Sequence, residues 1–351
     1  MTRTAWKFPA AAGVSLAALC CGGGAQSGAE ERQVNIFVWS AYMPVELLDA
    51  FRRQTGIDYR FDLYDSNEAL LEKLQSGVAD YDMVVPSDYM VQILIAQRLI
   101  QPLDRSRISN LGNLEERFLD QPFDPGNRYS LPYLYGTTGI GYNREKVPEP
   151  VDSWDVLFDP RFGGRILMLD DMREAFAVAL RLDGQSGNDR DPAALRRATE
   201  RLKAQKPLVK AYNSGDFANI LESGDVDLAQ GYSGQLAEVV RKNPARFAYV
   251  VPREGGTFWM DSVCIPAGAR HPAAAHALID FFYGAEAGAK LVNTVHYASP
   301  NRTARAGIDP SILSDTAIYP TDETLGRCHL IEDLGALTTT LDESWTEIKA
   351  Q

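Results

Sequence analysis

A chain of 351 residues is long enough for two domains, each with its own core, and hydrophobic and charged shares of 45% and 23% are those of a soluble globular protein. The formal net charge of −12 argues against nucleic acid as a partner, because phosphate recognition needs clustered lysine and arginine, and it suits a cationic ligand.

At the N-terminus, Arg3 and Lys7 precede an apolar run over residues 10–19, the length of a signal-peptide core and too short to cross a bilayer. Cys20 and Cys21 follow, then a stretch rich in Gly, Ser and Ala over residues 22–29. This order is similar to a bacterial lipoprotein signal. Residues 1–21 are therefore expected to be an export signal with lipidation at Cys20 or Cys21, and residues 22–32 a flexible tether. The mature protein is expected to be soluble, outside the cytoplasmic membrane in the periplasm or at the cell surface, and held to the membrane only by the lipid. Export permits a disulfide between Cys264 and Cys328, but two separate buried thiols are the simpler expectation.

From residue 34 onward, strand and helix patterns alternate. Residues 34–39 read as a strand and 44–54 as a helix carrying Leu47, Leu48 and Phe51 on one face. Residues 57–64 read as a second strand, and Ser66-Asn67-Glu68 opens a helix with Leu70, Leu71 and Leu74. Residues 81–86 form a third strand broken by Pro86, with Ser87 or Asp88 capping the next helix. The alternation predicts a mainly parallel sheet, with ligands off the carboxyl ends of strands, at Trp39-Ser40-Ala41-Tyr42 and Pro86-Ser87-Asp88-Tyr89.

Residues 131–142 are β-like and glycine-rich without a phosphate-binding fingerprint, and read as the crossing into a second lobe. Residues 154–158 form a short helix and 165–169 a strand. A helix then begins at Asp170-Asp171-Met172-Arg173-Glu174; Asp171 and Glu174 share one of its faces, a spacing that is equally a helix-capping pattern. Further elements follow as a helix over 192–204, a strand over 208–212, a helix over 215–221, strands over 226–232, 249–251 and 258–265, and a helix over 271–282. The tail, 325–349, reads as less regular. In the strand over 258–265, side chains alternate, so Trp259 and Asp261 project to one side; an acid beside a large ring face suits a desolvated cation, although the pair also fits strand-end packing.

With these segments in hand, the chain resembles the spermidine/putrescine-binding proteins of bacterial ABC importers from about residue 34 to the end. The motifs are Val38-Trp39-Ser40-Ala41-Tyr42, Tyr64-Asp65-Ser66-Asn67-Glu68, Asp82-Met83-Val84-Val85-Pro86-Ser87, Gln121-Pro122-Phe123-Asp124-Pro125, Asp170-Asp171-Met172-Arg173-Glu174, Glu254-Gly255-Gly256-Thr257-Phe258-Trp259-Met260-Asp261-Ser262 and Ser299-Pro300-Asn301. The resemblance implies an α/β, two-lobed periplasmic-binding-protein fold of type II. Each lobe would be a mainly parallel sheet flanked by helices, with the ligand cleft between the lobes: residues 33–138 plus 261–306 in the first, 139–260 plus 307–351 in the second. It implies a monomer that captures a polyamine by cleft closure and delivers it to ABC permease subunits.

Carried over position by position, the resemblance assigns ligand contacts to Trp39, Ser40, Tyr42, Ser87, Tyr89, Asp171, Glu174, Tyr232, Trp259, Asp261 and Tyr297. The family's acid between Ser/Thr and Tyr is Ala41 here, and its polar Gln position is Ile331. These departures imply weaker recognition of one end of a long polyamine, so putrescine stands beside spermidine as candidate ligand. No cofactor and no metal are implied: His271, His276, His296 and His329 show no metal-ligand spacing. An enzyme is disfavoured, since Gly231-Tyr232-Ser233-Gly234 lacks the final glycine of a nucleophile elbow, at Gln235. A binding protein for another organic cation, or a polyamine sensor acting on a membrane receptor, remain as alternatives.

Overall fold

A computed structural model describes residues 32–40, 42–77 and 80–350. The expected export signal, Cys20, Cys21, the expected tether up to residue 31 and Ala41 lie outside the described residues. Strand β1 (Gln33–Trp39) leads through the helix Val45–Thr55 to β2 (Asp58–Tyr64), which pairs with it in parallel. The helix Asn67–Gln75 then leads to β3 (Met83–Val84), parallel to β1 on its other side. There follow β4 (Ser130–Asn143), β5 (Ile166–Met168), β6 (Val209–Tyr212), β7 (Leu228–Tyr232), β8 (Phe247–Val250) and β9 (Thr257–Cys264). Among the described residues they form one sheet of order β2-β1-β3-β9-β4-β7-β5-β6, with β8 also paired to β4.

The parallel pairing expected from strand–helix alternation holds inside two triplets, β2-β1-β3 and β7-β5-β6. The strands that join them, β4 and β9, run antiparallel to each other and to their neighbours, so the sheet is mixed and continuous. β8 and β9 both pair antiparallel with β4, β9 over residues 130–138 and β8 over residues 140–143. The start of β4 pairs with the end of β9 next to β3, whereas from Thr138 onward β4 pairs with β7. Thr138 faces Thr257 where this change of partner occurs. Gly255, just before β9, has φ +85, and a Cβ there would lie 1.9 Å from the Arg327 carbonyl oxygen, so only glycine fits the turn that aims β9.

Both faces of the central strand of each triplet, β1 and β5, are covered. On one side of β1, Val34, Ile36 and Val38 pack with Leu47, Leu48 and Phe51 and with Leu278 and Ile279 of the helix Pro272–Phe282; on the other, Phe37 joins Met90, Val91 and Leu94. In the second triplet Ile166 and Met168 meet Phe176 and Leu180, and Leu167 meets Phe217, Leu221 and Leu236. Burying such apolar side chains is worth about 1.5–3 kcal/mol each, enough to hold strands that lack their own alternation of polar residues.

Three of the longer helices lie outside the sequence reading. The tail contains a regular helix, Leu337–Ala350, with Leu341, Trp345 and Ile348 buried and Trp345 edge-on to Tyr212. Its opening threonines are weak helix formers, and packing of the i, i+4, i+7 face outweighs them. The helices Ser233–Lys242 and Ala285–Val295 likewise lie outside the sequence reading. Cys264 and Cys328 are both buried and free, as the sequence favoured.

Candidate functional site

The loops leaving the carboxyl ends of β1 and β3 converge on the middle of β9. Because β9 runs beside β3, with Val84 facing Cys264, its residue 261 bridges to Ser87, and Ser262 N donates to the Pro86 carbonyl at 2.9 Å. Asp261 thereby meets two hydroxyls: Tyr42 Oη donates to Oδ2 and Ser87 Oγ to Oδ1, each at 2.7 Å. Asn67 fixes that loop in turn, donating to Ser87 Oγ and accepting from Ser87 N at 3.2 Å. Ser87 occupies the N-cap position of the helix Asp88–Ala96, but its hydroxyl does not cap; it is committed to Asp261, while Asp88 takes the Tyr89 amide at 2.7 Å. Burial pushes the Asp261 carboxyl up to about 6, with the Ser87 and Tyr42 hydroxyls pulling the other way.

The second acidic group opens the helix Met172–Leu182. Asp171 is its N-cap, accepting from the amides of Arg173 and Glu174 at 2.9 and 3.1 Å. The capping pattern thus holds at Asp171, the side chain that the sequence resemblance also assigns to ligand. Glu174, 3% exposed, accepts from Thr138 Oγ1 at 2.7 Å and Thr257 Oγ1 at 2.8 Å. Burial raises it to about 7, helped by the charge of Asp171; Asp171 is itself raised by burial, against its two capping amides.

Aromatic rings connect these acids. Tyr42, Tyr297, Trp259 and Tyr232 form a chain of edge-to-face pairs with centroids 5.5, 5.2 and 5.9 Å apart. Such pairs favour ring edges against ring faces and fix each ring by its neighbour. Trp39 donates its indole N–H to the Val85 carbonyl at 2.9 Å and leans on Tyr64, and Tyr89 Oη donates to Glu68 at 3.2 Å.

All eleven residues singled out from the sequence, Trp39, Ser40, Tyr42, Ser87, Tyr89, Asp171, Glu174, Tyr232, Trp259, Asp261 and Tyr297, line one cavity of about 320 Å3. Trp259 and Asp261 do project to the same side of β9, while Met260 between them enters the core. Ile331 lines the cavity too. The sequence reading missed Asp65, Asn67 and Asp88, although the first two sit in a quoted motif and Asp88 in a quoted loop. It also missed Glu222, Glu238 and Lys242, where Lys242 Nζ lies 3.4 Å from Glu238 one turn away on its own helix and 3.0 Å from Glu222 on the helix Phe217–Ser223; the contact between the two helices leaves no local signal.

The arrangement suits a cation with an apolar body. Asp261, Glu174 and Asp88 are buried and Asp171 is partly buried, and all four carboxyls are held above their ordinary range, because the cleft withdraws water from them. Among the described lining residues the basic side chain is Lys242, already paired with two acids. An incoming ammonium would lower those carboxyls and make charge-assisted bonds worth about 1.5–3 kcal/mol each, while ring faces cover a methylene chain. Among the described residues no group of His, Cys, Asp and Glu is arranged to hold a metal ion.

A mixed sheet built from two helix-flanked parallel triplets, joined by long strands with a buried cavity at the join, defines a two-lobed solute-binding protein. Residues 46–321 match the family described as bacterial extracellular solute-binding protein, and the chain belongs to that family. It is 37% identical over 335 residues to the spermidine/putrescine-binding periplasmic protein of Escherichia coli K12, covering 95% of this chain and 96% of that one. To the putrescine/cadaverine-binding protein of Pseudomonas aeruginosa it is 33% identical over 348 residues, covering 95% and 98%. The spermidine/putrescine ABC transporter substrate-binding protein PotD of Streptococcus pneumoniae superposes with a TM-score of 0.79 at 31% identity, over 91% of this chain and 99% of the other.

Proposed function

We propose that this chain captures a polyamine outside the cytoplasmic membrane and delivers it to an ABC import permease, acting as a binding protein and not as an enzyme. The observation that carries this reading is the meeting of Asp171, Glu174 and Asp261 around one aromatic-walled cavity. The relatives named for spermidine, putrescine and cadaverine, which the chain matches over nearly its whole length, support it. In this reading Asp261, Asp171 and Glu174 take ligand amines, Ser40, Ser87 and Tyr89 line the ends, and Trp39, Tyr42, Tyr232, Trp259 and Tyr297 enclose the methylenes.

The two lobes are residues 33–138 plus 261–306 and residues 139–260 plus 307–351, closing about the β4–β9 crossing. Across that division, Ile308, Ile312 and Ile318 at the start of the second lobe's last segment pack beside Ala289 and Val292 of the first, before the chain reaches the second triplet's core at the helix Leu337–Ala350. The protein works as a monomer, lipid-anchored through Cys20 or Cys21, in the periplasm or at the cell surface. No helix among the described residues is long and apolar enough to cross a membrane.

A thermal-shift screen tests the assignment, since a ligand that binds only the folded state stabilises it by RT ln(1 + [L]/Kd). Putrescine, cadaverine, spermidine and spermine are expected to raise the melting temperature, with neutral sugars and acidic amino acids leaving it unchanged. A response to the latter alone contradicts the proposal.

A further inference from the structure

We infer that Thr138 and Thr257 are positioning residues of the site, a cross-strand hydroxyl pair that holds both carboxylate oxygens of Glu174 and ties them to the crossing of β4 and β9. The inference rests on the polyamine reading for its effect on ligand, but its geometry stands apart from it. The two threonines are in register on adjacent strands, both fully buried, and each donates to a different oxygen of Glu174, at 2.7 and 2.8 Å. Neighbouring strands place opposed side chains of one face about 4.5–5.5 Å apart at Cβ, a span that one carboxylate can bridge. Glu174 itself reaches the pair from the first turn of the helix Met172–Leu182, a different layer of the fold.

This clamp does two things. It fills one acceptor site on each oxygen, so the carboxylate cannot rotate and its remaining lone pairs keep one direction. It also offsets part of the desolvation that burial imposes on the charge: both hydroxyls favour the ionised form, against burial and the neighbouring Asp171. Arg181, on the same helix, adds a smaller pull towards ionisation. From other elements Asp88, Tyr232, Tyr249 and Cys328 face it electrostatically. Thr138 and Thr257 would not touch the ligand; they would act through Glu174. Since β4 and β9 are the strands on which the two triplets meet, a cation drawing on Glu174 also loads that crossing.

The test replaces the hydroxyls while keeping side-chain shape. Thr138→Val with Thr257→Val is compared with Thr138→Ser and Thr257→Ser, and the Glu174 carboxyl is titrated by carbon NMR in the ligand-free protein. The paired valines are expected to raise the Glu174 midpoint by about one pH unit or more, each single valine by about half of that, and serine to restore it. The single valines leave one hydroxyl in place and keep the test open should the pair fail to fold. With putrescine as the probe, the paired valines should weaken binding about tenfold near pH 6 and by less than about threefold near pH 9, where Glu174 is ionised regardless. An unmoved midpoint in the valine variants, or a midpoint that serine does not restore, overturns the inference. If the unaltered protein binds no polyamine at any pH, the polyamine reading fails on its own, and the ligand-free titration still decides the role of the threonines.

Discussion

Tyr42 and Asp261 stand 219 positions apart in the chain, yet the Tyr42 hydroxyl donates to Asp261 at 2.7 Å, and Ser87 matches it on the other oxygen. The contact joins the loop after β1 to the strand that crosses the middle of the sheet. Each Asp261 oxygen keeps acceptor capacity for a cation while both hydroxyls hold its orientation.

Removing those hydroxyls should therefore weaken the site without emptying it. Tyr42→Phe and Ser87→Ala are each expected to cost about 0.5–1.5 kcal/mol of polyamine affinity. Because both hydroxyls favour the ionised acid, the loss should grow below pH 6, as the Asp261 carboxyl climbs from about 6. Calorimetric affinities of the two variants at acid and alkaline pH check this; equal losses at both would contradict it.

The buried acids also set a pH dependence of folding. Asp261 and Glu174 have folded-state carboxyls raised to about 6 and about 7, mainly by burial, above the ordinary carboxylate values that the unfolded chain shows. The folded empty protein therefore binds these protons more tightly than the unfolded chain. Their contribution is fully present below about pH 4 and is lost as pH rises through about 6 and then 7, after which it is flat. Urea melts across this window should show a shallower fall with pH in Glu174→Gln than in the unaltered protein. Polyamine binding should release protons in the same window, visible as a buffer-dependent heat.

Close approach at one glycine holds the helix Ser233–Lys242 against the segment carrying Tyr297. A Cβ on Gly234 would lie 2.4 Å from the Tyr297 ring and 2.7 Å from the His296 carbonyl oxygen. Gly234→Ala is expected to destabilise by about 1–3 kcal/mol and to weaken ligand binding by displacing Tyr297. Gly268→Ala, whose Cβ would meet nothing within 4 Å, is the control and should leave both unchanged. Denaturant melts of the two variants give the comparison.

Ile331 stands where the sequence resemblance implies an amide side chain. It is 9% exposed and lines the cavity with the acids and rings. Ile331→Gln adds a donor and an acceptor there, and should improve binding of spermidine relative to putrescine by about 0.5–1.5 kcal/mol, one net hydrogen bond. Paired titrations with the two ligands read the ratio; a ratio that stays put or falls contradicts the assignment of this wall to one end of the ligand.

Much of this site is legible in the sequence because its residues follow strand ends. Trp39 ends β1, Tyr42 and Ser87 lie just past β1 and β3, and period-2 alternation puts Trp259 and Asp261 on one side of β9. The helix start at Asp171 is legible for a second reason, since the same spacing caps the helix. What the sequence does not reveal arises from long-range packing. The Thr138–Thr257 register depends on two strands more than a hundred residues apart, and neither threonine is distinctive locally. Lys242 meets Glu222 only because two helices come together over the second triplet, whereas its i, i+4 partner Glu238 is on its own helix. The helix Leu337–Ala350 is hidden by its threonines until the core that receives Leu341 and Trp345 is in place.

The central claim is that buried acids among aromatic rings bind a polyamine, with Asp261 taking one of its amines. Titration calorimetry of putrescine and spermidine into the unaltered protein and into Asp261→Ala tests it most directly. Loss of one charge-assisted bond predicts saturable one-to-one binding that weakens by about 1.5–3 kcal/mol in the variant, tenfold or more in Kd. Binding of equal strength in the two proteins, or no binding by the unaltered one, would contradict the account.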